Sequence, residues 1–174
     1  RTNRYDVLMG LYAAIDFETS NIERNSACAI GYVLFNSNQI LKKQSYLIKP
    51  PKPEIYFTDI HGITWDMLKN QKNFDKVWAE VCKDLSDVDI FFAHNAPFDK
   101  SVLHACCRHY RVPLPEQRFE DTVKISRQIW NFKNNKLNTV CNELRIPLNH
   151  HDALSDALGC AKIAMKAFKL GYVI

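Results

Sequence analysis

The order of its hydrophobic patterns is what most constrains the fold of this chain, because strand-like runs come first and helical periods follow. Short apolar or alternating runs occupy residues 11–17, 28–35 and 39–48. Residues 36–38 (Asn-Ser-Asn) favour a hairpin turn between the last two runs, because these side chains stabilise turns locally. The first half of the chain is therefore predicted to form a three-stranded meander.

The second half of the chain alternates between helical and strand-like patterns. Apolar residues recur with a helical period over 74–85, 137–144 and 153–169, and the segment 99–110 also has one apolar side. The apolar run 88–93 predicts a buried strand between two of these segments. A meander followed by such alternation predicts an α/β domain with a mixed sheet and helices on both faces. Functional sites in such folds are expected at strand ends and in the loops that follow.

Length and composition point to one folded domain. The chain has 174 residues, of which 47% are hydrophobic and 24% charged, a balance that argues against disorder. Its net charge of +4 fits a partner with a phosphate backbone without requiring one. Because the sequence opens with Arg1, residues 1–8 are expected to be a disordered or artificial extension, with Met9 as a candidate start, and 9–174 a single domain.

Cysteine usage and hydropathy exclude several classes of protein. The six cysteines include no C-x-x-C pair, which favours reduced, mostly buried thiols in a cytoplasmic protein. His104, Cys106, Cys107 and His109 are too crowded on one predicted helix to converge on a zinc ion. No apolar run approaches the roughly 20 residues needed to span a bilayer, so no membrane contact is expected.

Two acids end the first predicted strand. Residues two apart on a strand point to the same side, so Asp16 and Glu18 are predicted to share one side while Phe17 points into the core. Two buried carboxylates so close cost several kcal/mol unless a cation compensates them. Oxygen ligands favour Mg²⁺ or Mn²⁺. A solvated strand end with two exposed acids is the alternative.

Asp99 lies near a second predicted junction between a strand and a helix. The segment 94–99 (His-Asn-Ala-Pro-Phe-Asp) follows the strand 88–93, and Asn95 with Pro97 favours a helix start. Asp99 is then expected in the first turn, where the helix dipole favours a carboxylate. A helix-start acid without a metal is the alternative.

Asp156 lies at the start of the last predicted helix, in the segment 150–156 (His-His-Asp-Ala-Leu-Ser-Asp). Asp152 is expected to start this helix and to share a side with Asp156 one turn later. His151 lies just outside, and a histidine with a pKa near 6.5 can accept a proton from water near neutral pH. Two surface histidines before an amphipathic helix are the alternative.

In this order and at these separations, the three segments resemble the DEDDh exonucleases of the ribonuclease-H-like fold. D-x-E-T resembles the family's first motif, H-N-A-x-F-D the second and H-x-A-L-x-D the third, with most likeness to the proofreading (epsilon) subunits of bacterial DNA polymerase III. Residues 57–64 also resemble the family segment beside the terminal nucleotide. The resemblance spans about 11–168 and implies a three-layer α/β/α domain with a mixed, five-stranded sheet.

The resemblance implies a role for each matched residue. The four acids of the motifs would be catalytic and would hold two divalent ions, Mg²⁺ or Mn²⁺: Asp16, Glu18, Asp99 and Asp156. His151 would be the general base that deprotonates the attacking water. It is His151, rather than His150, that stands five residues before Asp156 as the motif requires. The tyrosine variant of the family would have Tyr in place of Asp152, so the histidine subclass matches.

The implied activity is 3′–5′ exonucleolytic hydrolysis at single-stranded or frayed 3′ ends of DNA or RNA, with release of nucleoside 5′-monophosphates. The residues implied in holding the last nucleotides are Phe17, Thr19, His61, Ile63, Asn95 and Phe98. Core packing is the alternative role for Ile63 and Phe98. A basic stretch would either contact backbone phosphates or form a solvated face: Lys124, Arg127, Lys133 and Lys136.

Two other functions stay open at this stage. One is an oligoribonuclease-like enzyme that trims very short RNA, although such relatives usually lack the H-N-A-x-F-D form. The other is a non-catalytic nucleic-acid-binding or polymerase-associating module, against which the complete set of acids and His151 argues. One departure is Ser20-Asn21 where the family often has Gly. Because the chain ends at Ile174, soon after the last helix, a stand-alone enzyme or isolated catalytic domain is expected. Polymerase association, the choice between DNA and RNA, and oligomeric state are left open.

Overall fold

The computed structural model describes residues 10–174, so the expectations for residues 1–8 and for Met9 lie outside the described residues. Three strands come first, as the meander predicts: β1 (Tyr12–Thr19), β2 (Ala27–Phe35) and β3 (Ile40–Leu47). The turn between β2 and β3 is held by the Asn36 side chain, whose Oδ1 accepts hydrogen bonds from the backbone N–H groups of Asn38 and Gln39, both at 2.9 Å.

Helices and two more strands complete the domain. The helices are α1 (Thr58–His61), α2 (Trp65–Leu68), α3 (Phe74–Leu85), α4 (Ala96–His109), α5 (Thr122–Ile129), α6 (Leu137–Glu143) and α7 (Ala153–Lys169). The strands are β4 (Ile90–Ala93), which directly precedes α4, and β5 (Arg118–Asp121), which directly precedes α5.

The five strands form one mixed sheet in the order β3-β2-β1-β4-β5. The pairs β1–β2 and β2–β3 are antiparallel, whereas β1–β4 and β4–β5 are parallel. The predicted five-stranded mixed sheet is therefore confirmed. Because β1 lies in the centre and runs parallel to β4, the residues that follow these two strands meet at the same edge of the sheet.

Two apolar cores cover the two faces of the sheet, because the side chains of β1 alternate. Ala13, Ile15 and Phe17 pack into a core with α3 and α4. Tyr12 and Ala14 pack into a second core with α5 and α7. This is the predicted three-layer α/β/α arrangement. The next two residues of the second series are the acids of the first motif, so these acids lie on the α7 side of the sheet.

The hydrophobic pattern of the sequence does not predict four short elements: α1, α2, β5 and α5. The helices α1 and α2 have four residues each, too few to show a helical period. β5 is an edge strand without a fully buried residue, so it lacks the apolar run that marks a strand. The five-stranded sheet was therefore predictable from the family resemblance and not from the apolar runs.

The described residues can be searched for membrane-spanning helices, for free thiols and for clusters of potential metal ligands. Within residues 10–174, no helix is long and apolar enough to cross a membrane. The six cysteines are free thiols, and five of them are buried. The clusters of potential metal ligands found in this part of the chain lie elsewhere and do not include His104, Cys106, Cys107 or His109.

Gly31 allows α7 to begin directly against the sheet. It pairs with Asp16 across the β1–β2 ladder and therefore faces α7. A Cβ atom at Gly31 would overlap the backbone of Ala153 and Leu154, the first two residues of α7. The absence of a side chain on β2 thus lets the start of α7 lie beside the acidic end of β1.

We expect Gly31→Ala to destabilise the domain, because the overlapping atoms are backbone and cannot rotate away. Overpacking of this kind costs about 1–3 kcal/mol, which lowers the melting temperature by roughly 2–4 °C per kcal/mol. Gly159→Ala is the matched control, since its Cβ would lie 3.1 Å from the movable side-chain atoms Cys141 Sγ and Leu148 Cδ1. Thermal unfolding that is unchanged in Gly31→Ala, or equally lowered in Gly159→Ala, contradicts this role for Gly31.

Candidate active site

The acids of β1 lie where this central strand leaves the sheet. Asp16 and Glu18 are partly exposed, whereas Phe17 between them is 3% exposed and packs in the opposite core. The predicted alternation along this strand is therefore confirmed. The backbone N–H of Phe17 donates a 2.9 Å hydrogen bond to Oδ1 of Asp99, so a third acid is tied to the same strand from the α4 side.

Asp99 lies in the first turn of α4, as predicted, and is 2% exposed. Asn95 precedes this helix in a left-handed conformation, with φ of 72°, and its side chain makes no capping hydrogen bond. Its backbone N–H instead donates to Oδ1 of Asp121 at 3.0 Å. The predicted helix start at Asn95 and Pro97 is therefore confirmed, and Asn95 starts α4 through its backbone conformation.

Asp156 lies in the first turn of α7, and the loop before the helix closes over it. Asp152 caps this helix, since its Oδ1 accepts a 2.8 Å hydrogen bond from the N–H of Ser155. Oδ2 of Asp156 accepts from the backbone N–H of His151 at 3.1 Å and contacts Nδ1 of His150 at 3.0 Å. His151 has φ of 70°, and its ring stacks on that of His150 with centroids 3.8 Å apart.

Ligand atoms converge at this edge of the sheet in two overlapping groups. Carboxylate oxygens of Asp16, Glu18 and Asp156 lie within 4.8 Å of one another. Ligand atoms of His150, His151 and Asp156 do so as well. Asp99 is outside both groups and contacts the Phe17 backbone instead. The fold thus gathers three of the four predicted acids around one point, and the fourth, Asp99, is tied to the strand that carries two of them.

The electrostatics of this cluster favour protonation of its acids. Burial, followed by the charges of Asp99 and Asp156, raises the pKa of Asp16 well above its usual range. Burial and then the charge of Asp156 raise the pKa of Glu18 to about 8. Burial is also the largest cause of the raised pKa values of Asp99 and Asp156. Burial, reinforced at Asp16 and Glu18 by the charges of neighbouring carboxylates, therefore opposes ionisation of these acids near neutral pH.

A divalent cation fits this donor set. Oδ2 of Asp16 is buried and has no hydrogen-bond partner within the described residues, so one oxygen at the centre of the cluster is left for a cation to bind. Carboxylate oxygens are the ligands that Mg²⁺ and Mn²⁺ prefer, and a bound cation reverses the unfavourable charge balance.

His61 holds the segment after β3 against the end of β1. Its Nδ1 accepts a 3.1 Å hydrogen bond from the N–H of Ile63, so Nε2 carries the proton and donates to the carbonyl of Thr19 at 3.0 Å. Burial lowers the pKa of His61, which favours this neutral form. Both ring nitrogens are thus engaged by the backbone, and His61 positions the strand end that precedes Ser20.

Two residues that were predicted to contact the nucleotide, Ile63 and Phe98, instead use part of their surface for packing within the protein. Ile63 is 7% exposed and packs with Cys28, Ala29, Leu68 and Ala153, which favours the core role for this residue. Phe98 is partly exposed, and the Arg24 guanidinium lies 4.8 Å from its ring centroid, so a base could stack there only on the remaining ring surface. The four residues of the predicted basic stretch are exposed: Lys124, Arg127, Lys133 and Lys136.

Two supporting residues were not predicted from sequence. Asp121 caps α5, because its Oδ1 accepts from Val123 N–H at 2.9 Å, and its charge contributes to the raised pKa of Asp99. His94 connects Thr122 Oγ1 at 2.8 Å with the Asn135 carbonyl at 2.7 Å. The position of His94, directly before Asn95 at the end of β4, is the sequence signal that could have marked it as a positioning residue.

The loop after β1 turns without the Gly that the family often has there. Ser20 N–H donates to the carbonyl of Ser26 at 2.8 Å, and Ser26 Oγ accepts from the N–H of Asn21 at 3.2 Å. Ser20 and Asn21 are both buried. The Ser26 side chain thus closes this turn, and the departure from the motif leaves β1 and its acids in place.

Comparison with known proteins places this geometry in a family. The family model for exonucleases of the RNase T type matches residues 13–164, which includes all three acidic segments. The chain belongs to this exonuclease family. It is an exonuclease domain of this family with the ribonuclease-H-like fold of solved DEDDh exonucleases, a group that generally uses divalent metal ions.

Curated relatives include DNA polymerases III of the PolC type. The protein of Thermotoga maritima is 30% identical over 160 residues, which cover 89% of this chain and 12% of the relative. The protein of Listeria monocytogenes is 31% identical over 163 residues, which cover 91% of this chain and 11% of the relative. The chain therefore spans about one ninth of the length of these large proteins.

Solved structures with the same fold include two exonucleases with nucleic-acid ligands. Exonuclease X in complex with 5′-overhanging duplex DNA matches with a TM-score of 0.75 and 21% identity over 92% of each chain. The nuclease domain of 3′hExo, a DEDDh family member bound to rAMP, matches with a TM-score of 0.81 and 17% identity over 92% of each chain. At these identities the matches establish the shared fold.

The repulsion within the cluster predicts that Asp16→Asn stabilises the metal-free domain. Neutralising the central acid relieves a buried like-charge contact, so we expect the melting temperature in EDTA to rise by several degrees, at roughly 2–4 °C per kcal/mol. The same change is expected to abolish the stabilisation that Mn²⁺ gives the wild type, because binding to the folded state stabilises it in proportion to affinity. Asp87→Asn, an exposed acid, is the charge-matched control.

The increase in melting temperature that Asp16→Asn gives is expected to become larger as pH rises. An acid with a raised folded-state pKa contributes most stability when protonated, and this contribution is lost as pH rises through the folded pKa. For Glu18, folding raises the pKa from 4.5 to about 8, so its contribution to stability is lost between these two pH values. The difference in melting temperature between Asp16→Asn and wild type should therefore increase from pH 5 to pH 8 in EDTA. A difference that is flat, or that shrinks, contradicts the electrostatic account of the cluster.

Proposed function

We propose that this domain hydrolyses phosphodiester bonds from the 3′ end of DNA or RNA and releases nucleoside 5′-monophosphates. The observation that carries the proposal is the convergence of oxygens from Asp16, Glu18 and Asp156 within 4.8 Å, at the sheet edge where β1 and β4 end. Membership of the exonuclease family supports the same chemistry.

Two divalent ions, Mg²⁺ or Mn²⁺, would when bound stabilise the charge on the attacking and leaving oxygens of the phosphodiester. We infer that Asp16, Glu18, Asp99 and Asp156 hold them. One oxygen of Asp99 is engaged by Phe17 N–H, which leaves its other oxygen for this role. The raised pKa values of Asp16 and Glu18 imply that ion binding and loss of their protons occur together.

His151 is proposed as the general base that takes a proton from the attacking water. It lies on an exposed loop directly before α7, with a ring nitrogen within 4.8 Å of the Asp156 carboxylate. Its neighbour His150 contacts Asp156 through Nδ1 at 3.0 Å and is the competing candidate. The register of the third motif favours His151, because this residue precedes Asp156 by five positions.

The end of β1 and the segment after β3 would hold the terminal nucleotide. We assign this role to the backbone of Phe17 and Thr19, to Asn95 and to the exposed part of Phe98. His61 and Ile63 would act mainly by fixing the Thr19 carbonyl and the loop beside it. Such contacts would orient the last phosphodiester toward the acids, and orientation is a large part of catalysis in phosphoryl chemistry.

The proposed substrates are free ends of single strands or frayed duplexes. The solved structure of exonuclease X contains 5′-overhanging duplex DNA, and that of 3′hExo contains the ribonucleotide rAMP. DNA and RNA are therefore both candidate substrates for this chain. The likeness to PolC-type DNA polymerases III supports an association with a polymerase as a further candidate property.

Hydrolysis of end-labelled oligonucleotides tests the proposed activity. With 5′-labelled single-stranded 12-mers of DNA or RNA and Mg²⁺ or Mn²⁺, we expect a ladder that shortens from the 3′ end, with nucleoside 5′-monophosphates as the unlabelled product. Asp16→Asn and Asp156→Asn should reduce this reaction to background, and Asp87→Asn should leave it unchanged. Immediate release of the 5′ label shows the opposite polarity, and full activity of either acid variant excludes this site. Hydrolysis confined to dinucleotides indicates an oligoribonuclease-like enzyme.

Paired histidine variants test the choice of base. His151→Ala is expected to lower kcat by about 10²–10⁴, the usual contribution of a general base. His150→Ala should retain most of the activity. The reverse result would assign the base to His150, whose ring contacts Asp156 directly. Mn²⁺-dependent stabilisation of both variants serves as the control that the acids still bind metal.

A further inference from the structure

A row of lysines lies on the solvent side of α7, beyond the acids at the start of this helix. Lys162, Lys166 and Lys169 follow one another at i, i+4 and i+7, so they fall within an arc of roughly 60° around the helix axis. Lys166 and Lys169 are exposed and Lys162 is partly exposed. The opposite side of α7 is buried against the sheet and α6. These three lysines, together with Arg145, are called the basic ridge.

Arg145 joins the ridge from the loop after α6. It lines a cavity of about 260 Å³ with all three lysines and with Ile146, Pro147 and Met165. The loop is fixed by backbone hydrogen bonds, from Arg145 N–H to the Asn142 carbonyl at 3.1 Å and from Ile146 N–H to the Cys141 carbonyl at 2.8 Å. The side chain of Ile146 is 6% exposed and anchors the loop in the core. All four cations therefore project from rigid backbone.

The charges of the basic ridge are uncompensated. Among residues 10–174, the ion pairs involve other cations, and none includes Arg145, Lys162, Lys166 or Lys169. Lysines on the opposite layer differ, because Lys83 of α3 is paired with Glu80 at 2.8 Å. Four like charges around one cavity attract a polyanion and repel cationic surfaces.

The ridge is rigidly connected to the candidate active site because both belong to α7. Lys162, Lys166 and Lys169 follow Asp156 by about 9, 15 and 20 Å along the axis, at 1.5 Å per residue. A nucleic-acid strand in a duplex advances by about 3.4 Å per nucleotide. Measured along the helix axis, the ridge therefore lies roughly three to six nucleotides from the acids, and its neighbouring lysines are about 6 and 4.5 Å apart, between one and two nucleotides.

We propose that the basic ridge binds the sugar-phosphate backbone of the substrate strand, several nucleotides from the end that is hydrolysed. This inference rests on the proposed nuclease function and adds the length and path of its substrate. Because charged contacts to phosphates carry no sequence information, the ridge contributes affinity without base preference. A dinucleotide is too short to reach it, so the domain is expected to prefer strands of about six nucleotides or more.

The test compares two charge-matched triple variants. In one, Lys162, Lys166 and Lys169 are replaced by Gln, and in the other Lys72, Lys76 and Lys83 on the opposite layer are replaced by Gln. Binding of a 5′-labelled single-stranded 12-mer is measured in EDTA by fluorescence anisotropy over a salt series. Hydrolysis of the 12-mer and of a dinucleotide is measured with Mn²⁺. Circular dichroism and melting temperature report whether each variant is folded.

For the ridge variant, we expect the slope of log affinity against log salt to become shallower by about 2, from three lost contacts at roughly 0.7 each. Its kcat/KM for the 12-mer should fall at least about tenfold, with the dinucleotide rate unchanged, while the opposite-layer variant behaves as wild type. Unchanged 12-mer binding and hydrolysis would falsify the proposal and leave an acidic protein surface as the candidate occupant.

Equal loss on the 12-mer and the dinucleotide also overturns the ridge proposal, because the effect would then arise at the acids. Hydrolysis of neither substrate by the wild type defeats the proposed nuclease function instead. The anisotropy measurement still tests the ridge in that case, since binding in EDTA requires no turnover. The two proposals therefore fail in distinguishable ways.

Discussion

Repulsion among carboxylates at the end of β1 is the constraint on which the rest of this structure depends. Asp16 and Glu18 occupy one side of the strand, and Asp99 is tied to the same strand by a hydrogen bond from the Phe17 N–H. Asp156 completes the group from α7. No local preference would gather four acids in this way. Burial first, and neighbouring carboxylates next, raise the pKa values of Asp16, Glu18 and Asp99, whereas burial alone raises that of Asp156. The central position of β1, with a core on each face, supplies the stability that holds them together.

The four histidines near the candidate active site divide into two groups according to the partners of their ring nitrogens. His61 and His94 use both nitrogens for backbone or hydroxyl partners, and burial lowers the pKa of each, so both are suited to holding loops. His150 and His151 lie on the exposed loop before α7, with ring atoms near Asp156. Burial and hydrogen bonding thus separate positioning histidines from candidates for proton transfer, which spacing in sequence cannot do.

The layers and the location of the site were predictable because they follow from side-chain alternation and motif order. The alternation of Asp16, Phe17 and Glu18 and the first-turn position of Asp99 required no tertiary information. β5 was not indicated by its own residues, since its place depends on pairing with β4 and none of its four residues is fully buried. The helix start expected from Asn95 and Pro97 is confirmed, but the left-handed backbone of Asn95 was not predictable from its residue type. The contact of His150 with Asp156 depends on the left-handed φ of His151, which is also a property of the folded loop.

The start of α7 links the stability of the fold to the chemistry of the site. The helix N-terminus and the neighbouring His150 favour the ionised form of Asp156, whereas its burial favours the protonated form and dominates the raised pKa. Gly31 is what permits this arrangement, because it lets the α7 backbone approach the strand that pairs with Asp16. A cation bound by the acids would add a positive charge where burial now opposes ionisation, so the balance at Asp156 would change sign. The same close packing that makes the metal-free cluster costly would therefore favour the binding of a divalent ion by these acids.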